Sequence, residues 1–131
     1  MSAKIAARIF AVIMFGVVLF QIALIFGAPL GEFTQGGYDT GELASQGRIV
    51  AAVSAIALSV MALVMLALVK EGPLKNRSPK MIRRFAIAAT AYSGIGILMN
   101  LASRSEFERI VWTPITLAGF VLGLVALRKS R

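Results

Sequence analysis

The sequence predicts an all-α integral membrane protein. We expect a four-helix bundle with up-down-up-down topology, cytoplasmic N and C termini, and an outer cap loop between helices 1 and 2. Hydrophobic residues make up 58% of the 131 residues and charged residues only 15%. Four apolar segments each approach the ~20 residues needed to cross the hydrocarbon core of a bilayer. The whole chain, residues 1–131, is therefore predicted to be a single transmembrane domain.

Charge is distributed unequally between the two sides of this predicted bundle. The side with both termini and the middle connection has eleven Lys or Arg residues and one acid, Glu71, for a net charge of +10. The other side has three Arg residues and five acids, for a net charge of −2. Because loops rich in Lys and Arg stay in the cytoplasm, both termini are predicted to be cytoplasmic.

Helix 1 is predicted over about residues 3–27. A basic start followed by an apolar run resembles a signal peptide, but the run continues to Phe26, beyond the 7 to 15 residues of a typical signal-peptide core. We therefore expect the segment to remain as a helix. Gly27 can adopt the left-handed conformation that ends a helix, and Pro29 cannot continue one.

The connection over residues 28–47 is the longest predicted non-spanning segment. Its glycines and polar residues are compatible with a flexible loop. Its apolar and aromatic residues favour an ordered cap over the helix ends, and these are Leu30, Phe33, Tyr38 and Leu43. Helix 2 is predicted over about residues 46–69, with Arg48 just outside the hydrocarbon.

Helix 3 is predicted over about residues 79–101. Gly72 and Pro73 are expected to stop helix 2, while Ser78 as N-cap and Pro79 in the first turn start helix 3. The short link predicts that helices 2 and 3 form an antiparallel pair.

Helix 4 is predicted over about residues 106–128. Ser105 and Glu108 have the spacing of a capping box, in which each side chain bonds the backbone amide of the other residue. Pro114 would then lie inside the helix, where a kink near residues 109–110 is expected. Trp112 is predicted at the outer membrane interface, where indole rings are favoured.

Small residues on helix 4 predict close helix packing. Gly119 and Gly123 form a G-x-x-x-G pattern, which permits close approach of a second helix. Packing within the bundle is the favoured interpretation, and self-association between copies is the alternative.

Polar residues on the outer side form the candidate binding site. Two side-chain amides, Gln21 and Asn100, lie within the predicted spans. Neither can easily pair both its N–H donors and its oxygen acceptor within its own helix. Arg109 is predicted to pair with Glu32 or another loop acid and to hold the loop over Asn100. Two interpretations of this cluster are compatible with the sequence. It is either a structural network that clamps the loop, which is favoured, or a binding site. The full predicted cluster is Glu32, Gln35, Arg48, Asn100, Arg104, Glu108, Arg109 and Trp112.

Missing residue types restrict the chemistry. The chain has no Cys and no His, which excludes disulfides, thiolate metal sites and thiol catalysis, and removes the commonest general base. No charged residue lies in the middle of a predicted span, which disfavours a proton-coupled exporter. We therefore expect no catalytic residues, no metal and no cofactor.

The expected partners are membrane components. The net charge of +8 would suggest nucleic acid in a soluble protein, but here the basic residues lie at cytoplasmic helix ends. Anionic lipid headgroups are favoured there, at ~1 kcal/mol per well-placed Lys or Arg. A homo-oligomer or a larger membrane protein partner is also compatible with the smooth helix faces.

Two outer-side motifs resemble those of a protein family. They are FGAPLG at residues 26–31 followed by Gly36-Gly37, and NLASRSEFERIVWTP at residues 100–114. Both are similar to motifs in a family of small, uncharacterised four-span bacterial membrane proteins. In that family the position before the paired glycines is often aromatic, whereas here it is Gln35. The resemblance implies a bacterial inner membrane location and an outward-facing feature, and it implies no activity.

Three classes of function are compatible with these features. The favoured class is a non-catalytic accessory, assembly or interaction protein with an outward-facing polar cluster. The alternatives are a small oligomeric channel or transporter for a small solute or ion, and an enzyme acting on a lipid or quinone at the outer interface.

Overall fold

The computed structural model describes all residues, 1–131, and it is entirely helical. Its helices are α1 (Ala3–Ile25), α2 (Ser45–Leu68), α3 (Pro79–Leu101) and α4 (Glu106–Lys129). Two 3₁₀ turns, Gly31–Phe33 and Gln35–Gly37, lie between α1 and α2. The predicted all-α class and the four predicted helices are confirmed, with boundaries that differ by at most two residues.

Contacts at the helix ends show that consecutive helices run antiparallel. Arg8 near the start of α1 bonds Glu71, which follows α2. Arg83 near the start of α3 donates to the carbonyl of Leu127 near the end of α4. We call this end of the bundle, with both termini and the link at residues 69–78, the basic end. The opposite end, where residues 28–44 connect α1 to α2, is the cap end.

Three of the four helices, α1, α2 and α4, are long and apolar enough to cross a membrane. α3 has 23 residues, the same length as α1, but it is more polar. Its first turns contain Lys80, Arg83 and Arg84, and its last turn contains Asn100. Four spans were predicted, and length and composition support three of them, α1, α2 and α4.

The two halves of the bundle are packed differently. At the basic end, small and large apolar side chains interlock in one core without solvent exposure, and they include Ala6, Ala7, Phe10, Met65, Ala86 and Ala126. At the cap end the buried apolar core is limited to a small cluster, Leu24, Leu43 and Ala51. Large apolar residues are exposed around the outside of the helices, as a lipid-facing surface requires.

The helices α1 and α2 end with the same backbone motif. After α1, Gly27 has a φ of +94°, and the amides of Gly27 and Ala28 donate to the carbonyls of Leu24 and Ala23. This is the Schellman motif that Gly27 predicts. α2 ends in the same way, but the left-handed residue is Lys70, with a φ of +63°. The expectation that Gly72 and Pro73 stop α2 was wrong, because the helix has already ended at Leu68.

Gly119 and Gly123 bring α4 close to its neighbours in the same chain. A Cβ atom on Gly123 would lie 2.4 Å from Oγ1 of Thr90 on α3. A Cβ on Gly119 would lie 3.2 Å from the terminal methyl of Met14 on α1 and 3.3 Å from Oγ of Ser93. The G-x-x-x-G face is thus covered within the bundle.

Candidate functional site: the cap and the cavity beneath it

Residues 28–44 form an ordered cap. The amide of Gly31 donates to the carbonyl of Gly41 at 2.9 Å, which closes the base of the cap. The chain passes so close that a Cβ on Gly31 would lie 2.3 Å from the carbonyl oxygen of Asp39. Asp39 in turn accepts a hydrogen bond from the amide of Ala44, at the start of α2. Leu43 is buried against Leu24 and Ala51, in agreement with the cap interpretation.

The carboxylate of Glu108 anchors the cap to α4. It is buried and accepts hydrogen bonds from the amide of Gly36, at 3.1 Å, and from the hydroxyl of Ser103. Gly36 has a φ of +77°, a conformation that suits glycine and turns this amide toward the carboxylate. Only half of the predicted capping box is present. Ser105 accepts from the Glu108 amide, but the amide of Ser105 donates to Ser103 instead of to Glu108.

Two further hydrogen bonds join the cap to the first turns of α4. The hydroxyl of Ser105 donates to the carbonyl of Glu32, and the indole N–H of Trp112 donates to the carbonyl of Phe33. Trp112 also packs edge-on against Phe20 of α1, with ring centroids 4.8 Å apart. The indole is partly buried beneath the cap, where its N–H has a backbone partner. Its predicted location at the outer membrane interface stays a prediction.

Gln35 and Arg48 join the cap to α2. Gln35 has a left-handed φ of +51°, and its side-chain amide donates to the carbonyl of Gly47 at 2.8 Å. The Arg48 guanidinium donates to the carbonyls of Leu43 and Ile25 and to the carboxylate of Glu42. Arg48 therefore cross-links the end of α1, the cap and the start of α2.

The other two arginines of the predicted cluster lie outside this network. Arg104 donates to the hydroxyl of Tyr38 at 2.8 Å and also lies over its ring. Arg109 is exposed and bonds only the carbonyl of Ser103, so the predicted pairing of Arg109 with Glu32 was wrong. Successive residues of a helix point about 100° apart, and Glu108 faces the cap. Arg109, the next residue, consequently faces away from it.

A surface depression of about 450 Å³ lies where the cap meets the start of α4. Its lining includes Glu32, Tyr38, Arg104 and Glu106. Tyr38 is 74% exposed despite its bond to Arg104. Glu32, for which a pairing with Arg109 was predicted, instead lines this depression.

A second cavity lies beneath the cap, inside the helical bundle. Its volume is about 470 Å³, and all four helices contribute to its walls. Thr34 and Glu108 line it on the cap side, and its other polar lining residues are Gln21, Ser54, Tyr92, Asn100, Trp112 and Thr116. Of the predicted cluster, Asn100, Glu108 and Trp112 line this cavity, whereas Arg104 and Arg109 do not.

The sequence identified Gln21 and Asn100 as unusual amides but did not place them in one cavity with Ser54 and Tyr92. The only signal for the α3 contribution was the spacing of Tyr92, Gly96 and Asn100 at intervals of four residues, which puts them on one helix face. Ser54 had no comparable signal. A Ser in an apolar helix can bond its own backbone, so its presence alone does not indicate a cavity.

Family models, curated proteins and solved structures were all compared with this chain, and none of them matches it. Its function is therefore inferred from the cap and the cavity themselves.

Proposed function

We propose that this protein is a small, non-catalytic integral membrane protein with an accessory or assembly role, and that the cap is its interaction element. In this proposal the cap lies on the outer face of a bacterial cytoplasmic membrane and binds a larger membrane protein. The observation that carries the proposal is the anchoring of the cap to α4 through Glu108, Ser105 and Trp112.

The orientation follows from charge. The basic end has a net charge of +10 and the cap end a net charge of −2, so the positive-inside rule favours a cytoplasmic basic end. α3 then serves as the fourth crossing. Its lysine and arginines lie in its first turns, at the cytoplasmic headgroup level, where anionic lipids stabilise them.

An anchored loop is suited to binding because ordering a loop on association costs free energy. The cap already has fixed contacts to α1, α2 and α4, so less of this cost remains. It also presents a defined surface, with the exposed Tyr38 ring beside the depression lined by Glu32 and Glu106. Residues 28–44 include three acids and no Lys or Arg, so a basic partner surface is the complementary one.

The packed half of the bundle argues against a channel within one chain. Beneath the cavity, toward the basic end, Phe10 and Met65 are fully buried in a continuous core. A path for solutes would have to pass through this core. A channel would therefore need several copies of the chain, with the pathway between them.

Crosslinking in living cells tests the proposed interaction. A photoreactive phenylalanine analogue at Tyr38 should give one discrete adduct with another membrane protein. The same analogue at Asn76, in the basic-end link, should not give that adduct. Replacing Glu108 with Ala should weaken the Tyr38 adduct, because the cap loses its anchor. No adduct at Tyr38, or the same adduct from Asn76, would refute the cap as interaction element.

Cysteine labelling tests the orientation separately. The chain has no native Cys, so single cysteines can be placed at Thr40 and at Asn76. An impermeant thiol reagent should label Thr40→Cys in intact cells and should leave Asn76→Cys unlabelled until the cells are opened. Labelling of Asn76→Cys from outside would reverse the proposed topology.

A further inference from the structure

The amides and the carboxylate that line the cavity lie near the cap, and the remaining walls are mostly apolar, with the hydroxyl groups of Ser54, Tyr92 and Thr116 farther from the cap. Gln21 and Asn100 lie near the cap-end termini of α1 and α3, and Glu108 lies in the first turn of α4. The apolar part of the lining consists of Val17, Phe20, Leu58, Ile95, Met99 and Ile115. A molecule that fits both parts has a polar group at one end and an apolar body.

The two amides in the cavity are available to such a molecule. Neither Gln21 nor Asn100 makes a side-chain hydrogen bond to another group of the protein, in contrast to Ser59, Thr90 and Ser93, which bond their own helices. An amide at membrane depth gains free energy from any hydrogen-bonding group that reaches it, since leaving it unpaired is costly. Each amide offers both donors and an acceptor.

The cavity opens sideways, between α2 and α3. These two helices are the most loosely packed of the consecutive pairs. Tyr92, Ile95 and Met99 of α3 line the cavity, yet each is more than half exposed on the outside of the bundle. The opening therefore faces the lipid phase, and a molecule can enter from the membrane.

A second groove continues from this opening toward the basic end. It has a volume of about 330 Å³, lies between α2 and α3, and is lined almost entirely by apolar groups. Tyr92 lines both the groove and the cavity. The cavity offers polar groups near the cap, and the groove offers an apolar surface that continues from it. This combination fits a lipid whose head group lies in the cavity and one of whose acyl chains lies in the groove.

Charge selects among lipid head groups. The lining of the cavity includes the buried carboxylate of Glu108 and no Lys or Arg. A phosphate in this space would be repelled by that carboxylate and would have no cation to pair with. A hydroxyl group can donate to the carboxylate or to an amide oxygen. A quinone carbonyl can accept from an amide but cannot donate to the carboxylate, so a hydroxyl group suits this lining better.

We propose that this cavity is a binding site for an uncharged lipid whose head group carries a hydroxyl, such as a diacylglycerol. The hydroxyl lies among Gln21, Asn100 and Glu108, and one acyl chain follows the groove between α2 and α3. The site is independent of the interaction proposed for the cap, because it requires no protein partner.

The single tryptophan allows a direct test, because Trp112 lines the cavity and is the only Trp in the chain. Bromine atoms quench tryptophan on contact. Purified protein in detergent is titrated with a diacylglycerol that is dibrominated on its acyl chains. We expect saturable quenching that unbrominated dioleoylglycerol reverses. Brominated phosphatidylglycerol and a brominated alkyl quinone should give weaker quenching that dioleoylglycerol does not reverse.

Matched variants distinguish the cavity from the outer surface of α2. Ser54→Phe fills the cavity and should abolish the saturable quenching, whereas Ile56→Phe, on the exposed side of α2, should leave it unchanged. Asn100→Leu should raise the half-quenching concentration about fivefold to tenfold, the loss expected for one hydrogen bond. If circular dichroism shows that Ser54→Phe does not fold, the half-quenching concentration of Asn100→Leu tests the proposal instead.

Two results would overturn this proposal without affecting the cap. One is quenching that does not saturate or that is equal in wild type, Ser54→Phe and Asn100→Leu. The other is stronger competition by phosphatidylglycerol or by the quinone than by dioleoylglycerol. The crosslink at Tyr38 is a separate measurement, so failure of the interaction proposed for the cap would not be mistaken for failure of the lipid site.

Discussion

The basic end and the cap end are built from helices of the same kind but packed in different ways. At the basic end, alanines and glycines let the helices approach until side chains interlock, as where Gly123 faces Thr90. At the cap end the helices leave a cavity, and a loop is held across it by hydrogen bonds that Glu108 accepts and that Trp112 and Arg48 donate. Close packing stabilises one half of this bundle, while polar cross-links and an open space define the other.

The contrast predicts that added volume is harmful at one end and tolerated at the other. Gly123→Leu should lower the free energy of unfolding by about 3 kcal/mol, at the upper range for overpacking, because the new side chain meets Thr90. Val121→Leu, on an exposed position of the same helix, is the matched control. Unfolding in mixed detergent micelles measures both. Equal stability of Gly123→Leu and Val121→Leu would mean that the basic end is not tightly packed.

The cap end should instead be sensitive to loss of single polar groups. Glu108→Ala removes a charged acceptor from Gly36 and Ser103, and hydrogen bonds to charged groups contribute about 1.5–3 kcal/mol. We expect a loss of about 2 kcal/mol and faster hydrogen exchange over residues 31–44. Glu106→Ala, an exposed acid in the same turn, should change neither quantity. Unchanged hydrogen exchange over residues 31–44 in Glu108→Ala would show that Glu108 does not anchor the cap.

Two arginines at the cap end should differ strongly. Arg48 donates to two carbonyls and a carboxylate, so Arg48→Ala should cost about 1–2 kcal/mol. Arg109 is exposed and has one backbone acceptor, so Arg109→Ala should cost less than about 0.5 kcal/mol. Thermal unfolding of the two variants gives the comparison. The opposite order would restore the pairing of Arg109 with a cap acid.

The smallest expected effect is at the basic end, where Arg8 and Glu71 form an exposed ion pair. The Arg8 guanidinium, through its hydrogen bond and its charge, lowers the pKa of Glu71; burial opposes the shift, and the charge of Lys4 assists it. A lowered carboxyl pKa stabilises the folded state above the unfolded pKa of about 4.3, and this contribution is lost as the pH falls through the folded pKa.

Melting temperatures of wild type and Glu71→Gln, measured from pH 7 to pH 3, test this pair. The small advantage of wild type should be constant at neutral pH and should disappear in acid, and high salt should reduce it. An advantage of wild type that grows as the pH falls would contradict the assignment.

The elements were predictable where their causes are local. Gly27 fixes the end of α1 because the left-handed conformation is cheap for glycine, and Ser105 fixes the start of α4 because its hydroxyl reaches the amide of Glu108. The prediction failed at the end of α2, where Lys70 takes the left-handed conformation that sequence rules assign to glycine. That helix end is set by bonds from Lys70 and Glu71 to α2 carbonyls, and not by the glycine that follows.

The cap showed the limit of the same reasoning. The outer polar residues were recognised as a group, but their pairing depended on helix rotation. Glu108 and Arg109 are neighbours in sequence and differ by about 100° in direction, which determined that the acid and not the arginine anchors the cap.

The sequence by itself determined the helical class, the number of helices and the unequal charge of the two ends. These properties depend on composition and on short-range spacing, which act before any helix meets another. Only the tertiary structure decided that Glu108, Ser105 and Trp112 hold the cap and that Gln21 and Asn100 face one cavity. Those contacts join residues as much as 79 positions apart, and they depend on the distance and rotation of packed helices, which no local pattern encodes.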